Sequence, residues 1–410
     1  MVQPWINEYI LLALRMDKAF KRLNDGPFVD YFYGPVELKA SVESEPERAV
    51  GDLVRAAIAL GDSLASQGFE RERVNFLGTH VRTMEILCRI LSGQNFALQD
   101  VIQQCLDTQP VWKPEAEFKQ ALALLDKALP GEGDLRRRYL TLQGRTVLPL
   151  DQLELALPLM QRILAEARRR TQRFVELPDG EDLEIHTIHD KPYGAANWYL
   201  GSYRSRLELN LDRPVNLFVL LNQMCHEGYP GHHTEFVLKE QYLYRNHGYL
   251  EQSVFIIGPQ LVIAEGIASL ALDMIFTPDQ IADWMIKHIF PELDIKVNDI
   301  DLPKLIAALA VNMLDDLGGN LVKMRWDGYS DEEIIEYALE YTPHTKEQIR
   351  QFLQFLKSPL KQIYAFTYYQ GRRLMQPLLQ DDDRLQVFRR LLTEPVYPSL
   401  LAEWAGARIV

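Results

Sequence analysis

The chain has 410 residues, of which 47% are hydrophobic and 25% charged, an ordinary composition for a globular protein with a large core. Its net charge of −13 argues against nucleic acid or an anionic membrane surface as a partner. The three widely spaced cysteines give no disulfide framework, and the short N-terminal apolar run, ended by Arg15, is not typical of a signal peptide, so we expect a cytoplasmic protein.

The first part of the chain shows the apolar period of helices and no cluster of chemically reactive residues. Helices are predicted for residues 5–23, 50–67, 72–91, 97–106 and 114–128. We interpret residues 1–150 as an N-terminal helical region that packs against a catalytic region, residues 151–410. The two regions form either two domains or one continuous domain.

After a further helix at residues 153–175, the pattern changes to alternation. Residues 183–189 and 197–211 alternate as strands do, and we expect them to form a small antiparallel sheet just before a helix that carries a metal. An edge strand in that place can hold an extended peptide by main-chain hydrogen bonds. The predicted fold is therefore mainly α, with this sheet beside the metal helix.

The residues around which the chain is organised are 226–233, HEGYPGHH. A buried helix beginning at Pro214 places His226 in the core. Neutral imidazole is a zinc ligand, and the carboxylate of Glu227, next to the first ligand, can take a proton from a metal-bound water.

The spacing of these histidines does not suit a straight helix. His226 and His232 would lie about 240° apart around the axis, and His233 would lie roughly 10 Å from His226 along it. Pro230 cannot donate to the carbonyl of His226, and Gly231 accepts unusual dihedral angles. We therefore predict a break that returns His232 to His226, with His233 as the alternative second ligand.

A third ligand is predicted on the following apolar helix, which begins at Pro259. Its ionisable residues are Glu265 and Asp273. A carboxylate in so apolar a helix is costly unless it meets a cation, and Glu265 is separated from His226 by enough chain for a helix, a loop and a return. The length of this segment also suits a membrane span, but its carboxylates favour a core helix.

Helical period continues to the C-terminus. Helices are predicted for residues 278–288, 302–326, 331–341 and 346–356, and for a segment beginning at Pro359. On the last of these, Tyr364, Tyr368 and Arg372 share a face. Tyrosine and arginine are common donors to a developing oxyanion or a substrate carboxylate, although residues that only line a groove would show the same spacing.

Three stretches resemble the domain of unknown function 885 family, which is placed among zincin-like metallopeptidases. They are HEGYPGHH at 226–233, AEGIASLALD at 264–273 and FTYYQGRRLM at 366–375. The resemblance covers about residues 190 to 380. Ile267 stands where the family has tryptophan. Asp316, Gly318 and Asn320 stand where the family often has Asp-x-Gly-x-His, so the histidine is absent here.

The resemblance implies a zincin-like helical fold akin to the peptidases that bind zinc through two histidines and one glutamate. It also implies that His226, one histidine of the 232–233 pair and Glu265 are the ligands, and that Glu227 is the base. It does not supply a substrate.

We therefore predict a zinc-dependent hydrolase with one Zn²⁺ per chain, acting on short peptides or other small amides. Glu227 is the predicted general base, Tyr368 the donor to the oxyanion and Arg372 the group that holds a terminal carboxylate. Two alternatives stay open. One is a non-haem iron enzyme with the same ligands. The other is a non-catalytic protein with a structural zinc, for which His233 would be the fourth ligand.

Overall fold

The described residues form twenty α-helices and five short strands, which confirms the prediction of a mainly helical fold. The computed structural model describes residues 4–23, 26–191, 194–212, 215–311 and 314–408. The helices that precede the histidine motif are α1 (Pro4–Arg22), α2 (Val36–Ser44), α3 (Val50–Leu64), α4 (Arg71–Leu91), α5 (Leu98–Leu106), α6 (Glu115–Ala128), α7 (Leu135–Arg145) and α8 (Ala156–Thr171).

The later helices form the surroundings of the motif and the C-terminal third. Those around the motif are α9 (Leu217–Glu227), α10 (His232–Lys239), α11 (Pro259–Ile275) and α12 (Pro278–His288). The remainder are α13 (Leu302–Ala310), α14 (Gly318–Trp326), α15 (Asp331–Tyr341), α16 (Lys346–Phe355), α17 (Pro359–Tyr364), α18 (Thr367–Met375), α19 (Arg384–Thr393) and α20 (Pro398–Arg408). Pro214, the predicted start of α9, lies outside the described residues.

The strands form two small sheets. They are β1 (Val29–Phe32), β2 (Asp182–Ile188), β3 (Ala195–Gly201), β4 (Arg204–Asn210) and β5 (Val254–Ile256). The predicted antiparallel pairing is present between β3 and β4, while β2 runs parallel to β4, giving the order β2-β4-β3 with β3 at an edge. A separate antiparallel pair joins β1 to β5.

Two predicted helices are each interrupted. Residues 302–326 form α13 and α14 with a short 3-10 turn between them, and the segment from Pro359 forms α17 and α18. The interruptions pack on each other: a Cβ added at Gly318 would lie 3.2 Å from Ala365, and one at Gly319 would lie 3.0 Å from the ring of Phe366. The spacing of apolar residues does not change at these interruptions, which coincide instead with the contacts of Gly318 and Gly319 with Ala365 and Phe366.

Two apolar cores meet at the helices that carry the motif. The first joins the N-terminal helices to residues of α14–α17, and the second joins α8, α9, α12 and α19. α11 contributes Val262 to the first core and Ile263 to the second, and almost all of its residues are buried. The predicted division near residue 150 stays a prediction, since both cores draw residues from both sides of it.

One helical stretch, Leu302–Trp326, is apolar and long enough by composition to cross a membrane, and α11 with α12, bent by 73°, passes the same test as a pair. Core helices of soluble proteins also pass it, so this is weak evidence for a span. The burial of α11 inside the protein agrees with the interpretation of this segment as a core helix.

Candidate metal centre

The predicted break in the helix lies between α9 and α10, at residues 228–231. The N–H groups of Gly228 and Gly231 donate to the carbonyls of Met224 and Cys225, each at 3.0 Å, and so satisfy the end of α9. The Tyr229–Pro230 peptide bond is cis. A Cβ at Gly231 would lie 1.9 Å from the carbonyl oxygen of His226, so this close return of the chain requires glycine.

The break brings His226, His232 and Glu265 together. Nε2 of His226 lies 3.4 Å from Oε2 of Glu265, and Nε2 of His232 lies 3.7 Å from Oε1. The two imidazole rings are nearly perpendicular, with centroids 4.8 Å apart. Because ligands about 2.0–2.1 Å from a tetrahedral zinc are separated by about 3.4 Å, the two histidine–carboxylate distances are close to the spacing that such an ion requires.

An unpaired polar atom at this cluster also fits a cation. Oε2 of Glu265 is buried and has no hydrogen-bond partner in the described part of the chain; the unpartnered Nδ1 of His232 is not the nitrogen that faces Glu265. The side chain of Glu265 is 1% exposed. A buried polar atom without a partner costs about 1–3 kcal/mol, and more when it is charged, so a metal at this cluster would remove a substantial penalty from the carboxylate.

The charges of the three side chains interact strongly. Burial lowers the pKa of His226, but the close Glu265 carboxylate and the charge of Glu227 outweigh burial and raise it to about 9. Burial lowers the pKa of His232 to about 4. Although burial disfavours the charged form of Glu265, its close contact with His226 and the charge of His232 lower its pKa overall. The carboxylate is thus ionised and ready to bind a cation.

Glu227, the predicted base, interacts electrostatically with the cluster. Burial raises its pKa to about 7, an effect that His226 opposes and that Glu265 and Asp30 increase. The carbonyl of Glu227 accepts a hydrogen bond from the side chain of Asn197 on β3, at 2.6 Å. A carboxylate with this pKa can take and return a proton near neutral pH, and the contact with Asn197 places the edge strand next to it.

His233, the alternative ligand, is engaged elsewhere. Its Nε2 lies 2.8 Å from Oε2 of Glu181, and its Nδ1 lies 2.8 Å from the hydroxyl of Ser205. Glu181 also accepts hydrogen bonds from Tyr229, at 2.7 Å, and Arg168, at 2.6 Å. Both ring nitrogens of His233 are therefore occupied, and the structure brings His232, not His233, to Glu265.

Tyr368 lies near the cluster, where the sequence predicted a donor. Its ring lies over that of His226, with centroids 6.5 Å apart and planes 28° apart. α18 can come this close because it crosses α11 at two glycines: a Cβ at Gly371 would lie 2.7 Å from Cα of Gly266 and 2.4 Å from the carbonyl oxygen of Val262.

Arg372, by contrast, is already paired. Its guanidinium forms an ion pair with Asp316, which also accepts a hydrogen bond from Lys113 at 2.6 Å. Asn320 holds the backbone of Lys113 through two hydrogen bonds of 3.0 and 3.1 Å. The structure thus places Arg372 in a buried ion-pair network, where a substrate carboxylate would have to compete with Asp316.

The sequence did not reveal several of the residues that support the cluster. Glu181 and Lys113 lie in loops without a motif, and their partners are distant in sequence, so spacing could not find them. Asp316 and Asn320 were identified only through the family resemblance. Tyr364 was placed on the same face as Tyr368, but its contact with Glu265 was not expected.

Comparisons with known proteins show the fold and leave the activity open. No protein-family model and no curated protein matches the chain. The fold is similar to that of a protein from Colwellia psychrerythraea provisionally described as a lipoprotein, with a TM-score of 0.52 and 13% identity over 87% of this chain and 66% of that one. A protein of unknown function from Shewanella oneidensis with the same provisional description has a TM-score of 0.49 and 12% identity, over 92% of this chain and 76% of that one. The chain thus spans about two thirds of the first of these proteins.

Proposed function

We propose that the protein is a zinc-dependent hydrolase of short peptides. The observation that carries the proposal is the convergence of His226, His232 and Glu265 from three helices on one point, with ligand atoms within 4.8 Å of one another. Glu227, the neighbour of the first ligand, supplies the base that hydrolysis needs. The resemblance of the three sequence stretches to a metallopeptidase family supports the same function.

Each side chain has a role that its surroundings favour. When bound, zinc would lower the pKa of water toward about 7 and polarise a carbonyl group. Glu227 accepts the proton of the attacking water and passes it to the leaving amine, as its pKa of about 7 allows. Tyr368 donates to the oxyanion that forms on the substrate carbonyl.

The edge strand β3 is the proposed support for the peptide backbone. β3 is the outer strand of its sheet, and Asn197 ties it to the end of α9 at Glu227. An extended peptide added along this edge would run past the base. The protein would therefore recognise peptide main chain and place a peptide bond beside Glu227.

The engagement of His233 argues against a structural zinc. A closed site needs a fourth protein ligand, and both nitrogens of the nearest additional histidine are bound to Glu181 and Ser205. Three ligands and an adjacent base are the composition of a catalytic zinc site. An iron enzyme with the same ligands remains an outcome of metal analysis, although it would leave Glu227 without a role.

The test combines metal analysis with digestion of a peptide library, read by mass spectrometry with and without a chelator. We expect about one zinc per chain, cleavage that the chelator abolishes, and loss of zinc in His226→Ala and Glu265→Ala. Glu227→Gln should keep its zinc and lose at least about 10²-fold in rate. Glu332→Gln, on the exposed surface of α15, is the control and should keep both its zinc and the wild-type rate. Wild-type hydrolysis by Glu227→Gln would overturn the mechanism, and iron in place of zinc would favour an oxygenase.

A further inference from the structure

The two oxygens of Glu265 have different surroundings. Oε1 accepts a hydrogen bond from the hydroxyl of Tyr364, the last residue of α17. Oε2 has no hydrogen-bond partner in the described chain and lies 3.4 Å from Nε2 of His226, while Oε1 lies 3.7 Å from Nε2 of His232. Since the carboxylate is 1% exposed, little solvent can reach either oxygen. The protein therefore engages one oxygen and leaves the other for a ligand.

Tyr364 is itself held firmly in place. Its ring contacts those of Phe355 and Tyr368, with centroids 6.0 and 5.6 Å away, and the ammonium of Lys361 lies 5.1 Å from its centroid. Thr367 donates to its carbonyl at 2.6 Å where α17 ends. The hydroxyl thus projects from a fixed ring, so it can fix the rotation of the carboxylate.

We propose that Tyr364 is a positioning residue that makes Glu265 a ligand through Oε2 alone. This inference rests on the proposed metal site, and it assigns Tyr364 a role distinct from that of Tyr368. With Oε1 engaged, the carboxylate occupies one coordination position rather than two. Room then remains at the metal for both water and a substrate carbonyl, as a catalytic site requires.

The physical basis is that a hydrogen-bond partner of a metal-binding side chain fixes the orientation of that side chain. A carboxylate that is free to rotate can bind through one or both oxygens, and its ordering on binding costs entropy. Partners of this kind contribute about 10–100-fold to metal affinity. Removing one hydroxyl should therefore weaken zinc binding and change the coordination of the metal without removing a ligand.

The experiment measures the zinc Kd of metal-free Tyr364→Phe by chelator competition and the visible spectrum of its cobalt(II) form. We expect zinc affinity to fall about 10–100-fold and the cobalt absorption to weaken, as it does when coordination number rises. Tyr397→Phe is the matched control, because it removes a tyrosine–glutamate hydrogen bond of 3.2 Å, to Glu72, away from the metal cluster. It should leave both readouts unchanged.

A second variant separates the hydroxyl from the packing of the ring. Phe355→Leu disturbs the ring contact of Tyr364 but keeps the hydroxyl, so it should retain zinc affinity within about 3-fold. Equal losses in Tyr364→Phe and Phe355→Leu, or wild-type affinity and spectrum in Tyr364→Phe, would overturn the inference. If the wild-type chain binds no zinc or cobalt at all, the proposed function itself fails.

Discussion

Two adjacent histidines have separate tasks in this protein. His232 faces Glu265, and His233 faces Glu181 and Ser205. The sequence predicted the break that returns the chain to His226, because proline and glycine at 230–231 are incompatible with a regular helix. It could not choose between His232 and His233, since the choice depends on Glu181, a loop residue with no motif of its own.

Glu181 should stabilise the segment that carries the second ligand. Burial opposes its ionisation, but hydrogen bonds from His233 and Tyr229, the charge of His233 and a hydrogen bond from Arg168 lower its pKa to about 2. A folded-state pKa below the ordinary value adds stability above about pH 4.5, and this stability is lost as pH falls through about 2. Glu181→Gln should therefore cost about 3 kcal/mol at pH 7.

Urea unfolding of the wild type and Glu181→Gln at a series of pH values measures this contribution. The difference in free energy of unfolding should be constant from pH 8 to pH 5 and shrink below about pH 4.5. Asp179→Asn, an exposed change in the same loop, should show no difference. A difference that grows as pH falls would contradict the assignment.

At the scale of elements, the crossing of α11 and α18 determines where Tyr368 lies. Gly266 and Gly371 allow the two helices to touch at their backbones. Gly371→Ala would place a methyl group 2.4 Å from the carbonyl oxygen of Val262, so α18 must move away. We expect a loss of about 1–3 kcal/mol from overpacking and a fall in hydrolytic rate with zinc content unchanged.

The matched control is Gly61→Ala, at an exposed position in the middle of α3. The nearest atom to the added Cβ, on Val81, would lie 3.7 Å away. This variant should be neutral or gain up to about 1 kcal/mol, because alanine favours a helix more than glycine does. Thermal unfolding and metal analysis of both variants test the pair. Retention of full activity in Gly371→Ala would show that the crossing does not position Tyr368.

The sequence predicted most helices but not where two of them end. The spacing of apolar residues predicted α4, α12 and α15 closely, and a capping box of Ser330 with Glu333 begins α15. The same spacing of apolar residues runs through the breaks between α13 and α14 and between α17 and α18, where Gly318 and Gly319 pack on Ala365 and Phe366. Contacts between distant segments leave no mark on local period, so the breaks could not be seen.

For the molecule as a whole, we expect the negative net charge to favour the cleavage of basic peptides over acidic ones. The net charge is −13, and the carboxylates of Asp30 and Asp315 act on Glu227 and His226 beside the metal cluster. Peptides with lysine or arginine should therefore have a higher kcat/KM than acidic peptides of the same length. The ratio should fall as salt rises from about 0.01 to 0.5 M, because salt screens exposed charges.

A neutral peptide of equal length is the control for general effects of salt, and its kcat/KM should change little over the same range. Faster cleavage of acidic peptides at low salt would contradict this prediction. It would also show that Arg372 and Lys113 attract the substrate more strongly than the carboxylates do. The cytoplasmic location and the absence of membrane and nucleic-acid partners stay predictions.

The position of α11 between the two cores bears on how the protein is made. A helix stabilised on every side by packing gains little stability from its own sequence, and residues as late in the chain as Tyr397 and Leu401 help to complete the two cores. Glu265 therefore has no settled place in a nascent chain until these later residues have also left the ribosome. The proposed zinc would then bind after the two cores have formed, rather than guide their formation.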